Sequence, residues 1–168
     1  MVSLLTRRTA LTLMAAATVT PGTALADDVI DLDWDDLLPK GQATLPRALQ
    51  SLTQHDGPDL SSQQPASTGV RSDWNGQIVR LSGFIVPVDV SGTGVTAFIL
   101  VPYVGACIHV PPPPANQLVF VTTGEPYESK GLYAPVSVTG MFGVSAMSTH
   151  LAQIGYALSA DKIEPFSG

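Results

Sequence analysis

Two runs of the chain constrain its fold more than anything else. VRLSGFIV (Val79–Val86) and VSVTGMFG (Val136–Gly143) are both rich in β-branched residues, and each carries a glycine near its centre, Gly83 and Gly140. A glycine inside a strand weakens it unless the strand bends there, bulges, or meets another backbone closely. Two such strands in one short chain point to a sheet that turns corners, as a small closed or half-closed barrel requires.

The remaining pattern supplies the other strands. Gln77–Val88 and Val95–Val101 flank the turn residues Ser91–Gly94, which predicts a hairpin. Gln117–Thr122 reads as a third strand, Ala134–Val144 as a fourth, and Tyr156–Phe166 as one or two short final strands. Short helices are expected over residues 44–54, with Pro46 in the first turn, and over 145–153, capped by Ser145 and ended by Gly155. With 15 glycines and 14 prolines, the chain has little room for more helix. The expected fold is therefore mainly β: a small OB-like five-stranded barrel with one or two short helices. An open antiparallel sandwich is the alternative.

Three regions follow from the N-terminus onward. Residues 1–26 read as a cleavable export signal, with Arg7 and Arg8, an apolar stretch over Leu11–Thr20, and the small-residue site Ala24-Leu25-Ala26. The paired arginines resemble a twin-arginine signal, although Ala10 stands where that signal has a bulkier residue. The apolar stretch is far shorter than the roughly 20 residues that span a bilayer, so no integral membrane anchor is expected after processing. Cleavage near Ala26 would release a periplasmic or secreted protein. Residues 27–75 read as an arm docking through Trp34 and Leu37, a short helix and a polar linker, and residues 76–168 as the OB-like domain.

Removing residues 1–26 takes away two arginines and no acid, moving the formal charge from −6 to −8. That balance argues against nucleic acid, a common ligand of OB folds, as a partner. Cys107 is the single cysteine, so it has no internal disulfide partner in an oxidising compartment.

The least ordinary stretch is Tyr103–Gln117, YVGACIHVPPPPANQ. Cys107 and His109 are two residues apart, which on extended chain places them on one face. A thiolate and an imidazole together suit zinc or copper. Met147 and His150, three apart on the expected helix, are further candidate ligands, as are His55, Met141 and the acids. A Cys107, His109, Met147 set would favour monovalent copper, whereas an added acid would favour zinc. The plain alternatives are a buried small apolar Cys107 and a hydrogen-bonded loop His109. No catalytic residue is assigned: Cys107 and His109 lie too far apart along a strand for easy proton transfer, and no orienting acid is identifiable. Pro111, Pro112, Pro113 and Pro114 would stiffen the chain. With Tyr103 and Asn116 they could display a ridge to a protein partner or simply line a loop over the barrel mouth.

These residues carry a family resemblance. GFIVP (Gly83–Pro87), FILVPY (Phe98–Tyr103), GACIHVPPPPANQ (Gly105–Gln117), WDDLLP (Trp34–Pro39) and VSVTG (Val136–Gly140) resemble the bacterial family known as domain of unknown function 3299. Cys107, His109, Pro111 to Pro114 and Asn116 match its pattern, whereas a histidine at His150 is not required. The resemblance implies an exported protein with no established activity, encoded near export or metal-related transporters. The functional expectation is an exported periplasmic binding or accessory protein that holds a transition metal or docks a membrane transporter component. A structural interaction module using the proline run, and a thiol-dependent redox enzyme, are the alternatives.

Overall fold

A computed structural model of the chain describes residues 28–41, 64–107 and 112–166. Six strands run in order: β1 (Ile30–Leu32), β2 (Ile78–Ser91), β3 (Gly94–Val101), β4 (Val119–Tyr127), β5 (Pro135–Ser148) and β6 (Gln153–Pro165). Strands β2 to β6 close a ring in the order β2-β3-β4-β6-β5, with β5 returning to β2. β4 and β6 run parallel and the other ring neighbours antiparallel. This is the OB-like barrel read from the sequence. β1 lies outside the ring, parallel to β2 across Val79–Leu81.

The two central glycines sit where ring closure needs them. The first half of β2 pairs with β5 and the second half with β3, and the exchange of partners falls at Gly83 and Phe84. A side chain at Gly83 would meet the Val101 carbonyl oxygen at 2.7 Å. Gly140 sits at a register shift between β5 and β6, where a side chain would overlap the Ser159 carbonyl oxygen. The β2–β3 hairpin turns through Gly92, whose φ of 62° suits glycine.

Alternation along the strands builds two cores. Phe98, Leu100, Val119, Val121, Tyr156 and Leu158 face inward across paired strands and fill the barrel. Phe84, Val86, Ile99, Val101 and Phe120 point outward, on the opposite face of β2, β3 and β4. The β3–β4 connection folds back over this outer face, contributing Ala106, Cys107 and Leu118 to a second buried cluster. An OB barrel's usual ligand face on these strands is thereby covered by the chain's own residues.

The arm closes onto the barrel. Leu32 and Leu37 join the interior core, and Trp34 packs against it while its Nε1 donates to the Ser82 carbonyl at 2.8 Å. The Tyr156 hydroxyl donates to the Leu37 carbonyl at 2.8 Å and accepts from the Arg71 backbone N–H at 2.7 Å. Residues 64–75, expected as linker, lie irregular against the barrel. The Gln64 side chain accepts from the Gln153 N–H and donates to the Gln153 carbonyl, both at 2.8 Å, as a neighbouring strand would.

The helix expected over 145–153 is strand and turn instead. β5 continues to Ser148, with Val144 opposite Tyr156 and Met147 opposite Ile154. Thr149, not Ser145, makes the side-chain bonds, its hydroxyl accepting from the Leu151 and Ala152 N–H groups. Val144, Met147 and Ser148 pair with β6 on either side of a bulge at Ser145–Ala146, and that pairing outweighs a weak helical pattern of small residues. The final stretch is one continuous strand of 13 residues. The helix expected over 44–54 lies outside the described residues.

Candidate functional site

The feature that stands apart is the junction of two loops at the edge of the outer core. After β3 the chain turns through Tyr103–Cys107, and after β4 through residues 128–134. Cys107 (φ 69°) and Tyr133 (φ 59°) are the non-glycine residues on left-handed backbone among the described residues. For residues with a Cβ this conformation costs energy and persists only where the surroundings impose it. The surroundings here are explicit. Tyr133 donates its N–H to the Ile85 carbonyl at 2.8 Å and its hydroxyl to the Ala106 carbonyl at 2.8 Å, joining one loop to the other.

The Cys107 thiol is shut in, with the residue 1 % exposed among Val86, Ile99, Val101, Leu118, Ala152 and Ile154. Tyr103, Tyr133 and Met147 pack against the same cluster. Burial pushes the thiol up to about 12. Burial first, and the neighbouring Cys107 second, push Tyr103 and Tyr133 up to about 12 as well. All three groups are therefore neutral at pH 7. The thiol lacks the thiolate character that a nucleophile or redox centre needs.

The structure distributes the sequence candidates unevenly. Cys107 and Met147 share the outer core, whereas His150 is exposed in the β5–β6 turn. Met147 and His150 do not share a helix face, because no helix forms there. His109, His55 and Pro111 lie outside the described residues. Among the described residues, no group of three or more His, Cys, Asp or Glu side chains is placed to hold a metal ion. Pro112 and Pro113 are buried and Pro114 half-buried. The Pro113 carbonyl accepts from Gln64 Nε2 at 2.8 Å, so this part of the run braces the loop from inside. Asn116 is buried too, at 1 % exposure, its amide donating to the Gly69 carbonyl. Tyr103 remains half-buried at the junction.

Sequence reasoning missed Tyr133 and Gln117. Nothing in GLY (Gly131–Tyr133) announces a tyrosine on left-handed backbone, because that conformation is imposed by β2 and the Ala106 loop. Gln117 reads as the first residue of a strand, yet its Nε2 donates to the Trp34 carbonyl at 2.8 Å and fastens the arm.

Fold and site together define a small closed β-barrel protein with a docked N-terminal arm and a buried thiol. Its loops are organised around side chains that pack and hydrogen-bond. The family model described as "Protein of unknown function (DUF3299)" matches residues 34–165, and the chain belongs to that family. The crystal structure of a DUF3299 family protein from Pseudomonas aeruginosa PAO1 is similar, with a TM-score of 0.70 and 38 % sequence identity. The match covers 83 % of this chain and 97 % of that one. No curated protein matches the chain.

Proposed function

We propose that the protein is an exported accessory module that acts by binding, through the two-loop junction, to a membrane transporter component. The observation that carries this reading is the junction itself. The Tyr133–Ala106 hydrogen bond joins the loops, and each loop keeps one residue, Cys107 or Tyr133, on left-handed backbone. On those loops Val104 and Leu132 stand 49 % and 48 % exposed. Rigid loops presenting apolar side chains suit recognition, because little ordering remains to be done on binding. The neutral, enclosed thiol speaks against a thiol enzyme. The buried Pro112 and Pro113 favour bracing over display of a proline ridge. Export rests on the signal-like residues 1–26, and the transporter partner on the family resemblance.

The test is site-specific photo-crosslinking in intact cells. A crosslinker at Val104 or Leu132 should capture one defined inner-membrane transporter subunit. The same crosslinker at Val90, exposed at the far end of the β2–β3 hairpin, should not. Equal capture from Val90, or none from Val104 and Leu132, sinks the proposal.

A second reading is favoured by one observation: Met147 packs in the same cluster as Cys107, two residues before His109. A soft monovalent copper ion would suit thiolate, thioether and imidazole, displacing the thiol proton on binding. Elemental analysis of protein purified from periplasm without chelator decides it. Near-stoichiometric copper or zinc, lost in Cys107→Ser/His109→Ala, supports the reading, and metal-free wild type excludes it.

A further inference from the structure

The turn Ala115–Gln117 places two amide side chains side by side beneath the N-terminal arm. Asn116 is 1 % exposed and Gln117 4 %. Asn116 Nδ2 donates to the Gly69 carbonyl at 2.8 Å and the Thr68 hydroxyl at 3.2 Å. Gln117 Nε2 donates to the Trp34 carbonyl at 2.8 Å and the Asn116 carbonyl at 3.1 Å. These acceptors fix the orientation of both amides, since flipping either would set oxygen against a carbonyl oxygen. The two remaining atoms, Asn116 Oδ1 and Gln117 Oε1, are buried and have no donor among the described residues. Buried amide oxygens in native proteins almost always accept a hydrogen bond, because leaving one unmade forfeits its hydration without return.

We infer that this turn is an internal water site, in which a bound water donates to one or both of these oxygens. A carbonyl oxygen only accepts, so its ligand must be a donor small enough for an enclosed site. A cation is the poorer candidate. The two oxygens are neutral amide carbonyls, which bring no negative charge to a cation. The water would complete a joint in which one turn holds both the arm, through Trp34, and the following segment, through Gly69.

A crystal structure of the wild-type mature protein at about 1.5 Å or better tests this directly. The expected result is a water about 2.6–3.2 Å from at least one of the two oxygens, in every copy of the molecule. A protein N–H or O–H bonded to both oxygens, from residues 42–63 for instance, would overturn the inference. So would dry contact at both, or an ion ringed by oxygens at metal distances. Oxygen-17 relaxation dispersion gives a second, crystal-free test. The dispersion amplitude of the wild type should fall in Asn116→Leu/Gln117→Leu, and an unchanged amplitude in the folded variant counts against the water.

Discussion

Replacing Gly140 with alanine tests the corner on which the barrel closes. The three nearest atoms to an added methyl are all backbone: the Ser159 carbonyl oxygen, and Ala160 Cα and the Ser159 carbonyl carbon at 2.9 Å each. None can rotate away, so β5 and β6 would have to part at the register shift beside Thr139. Forcing an extra methyl into a packed site costs about 1–3 kcal/mol, and a backbone obstacle belongs at or above the top of that range. The gain from a stiffer unfolded chain returns only about 0.4–1 kcal/mol. A net loss of about 2 kcal/mol or more is expected. Gly83→Ala should cost less, about 1–2 kcal/mol. Of its obstacles one is the Val101 carbonyl oxygen at 2.7 Å, and two are side-chain atoms of Leu100 and Trp34 at 3.0 Å. Gly124→Ala is the control: no atom lies within 4 Å, and its backbone is outside the left-handed region. It should be neutral or slightly stabilising. Urea unfolding of the mature protein, followed by circular dichroism, measures all three. If Gly140→Ala is as stable as Gly124→Ala, the steric account of the corner is wrong.

Three further outcomes follow from the same structure. Tyr156→Phe leaves the Leu37 carbonyl and the Arg71 N–H without their shared partner and should lower stability by about 1–3 kcal/mol in urea; a change below about 0.5 kcal/mol would mean water replaces the hydroxyl freely. Leu37→Ala, at a fully buried position in the barrel core, should cost about 2–5 kcal/mol, and a chain beginning at residue 76 should lose cooperative unfolding altogether, whereas wild-type behaviour of either would make the arm an ornament. Cys107 holds its proton up to about 12 in the folded state against 9.0 ordinarily, so the unfolded chain releases that proton first, and stability is intact below pH 9 and falls as pH rises from there toward 12. Tyr103 and Tyr133 add to the same fall from pH 10.0 upward, so urea midpoints should drop above pH 9, with the onset moving toward pH 10 in Cys107→Ala; a flat profile to pH 11 would contradict the enclosed thiol.

The barrel was legible because strand alternation and interrupting glycines are local signals with one geometric meaning. Gly83 and Gly140 mark corners wherever in space their partners lie. Trp34 and Leu37 read as docking residues because large apolar side chains among acids have nowhere else to go. The β5 extension is not legible because Ser145 and Ala146 carry little preference of their own, and pairing of the flanking Val144, Met147 and Ser148 with β6 supplies the decision. The site was less legible still. Cys107 and His109 attract attention as a pair of metal-ligand types, but a thiol's behaviour depends on its dielectric surroundings, and only folding of the loop over Val86 and Ile99 made those apolar. Tyr133 entered the site from 26 residues away in sequence, on a backbone conformation its neighbours impose. Asn116 and Gln117 look like surface polar residues until the arm covers them. The sequence by itself thus determined the period of the strands, the corners of the barrel and the family, since each is written in short runs of residues. Only the tertiary structure decided that the thiol is enclosed and neutral, that Pro112 and Pro113 brace from within, and that two amides hold the arm, because burial and charge state arise from contacts between segments far apart in the chain.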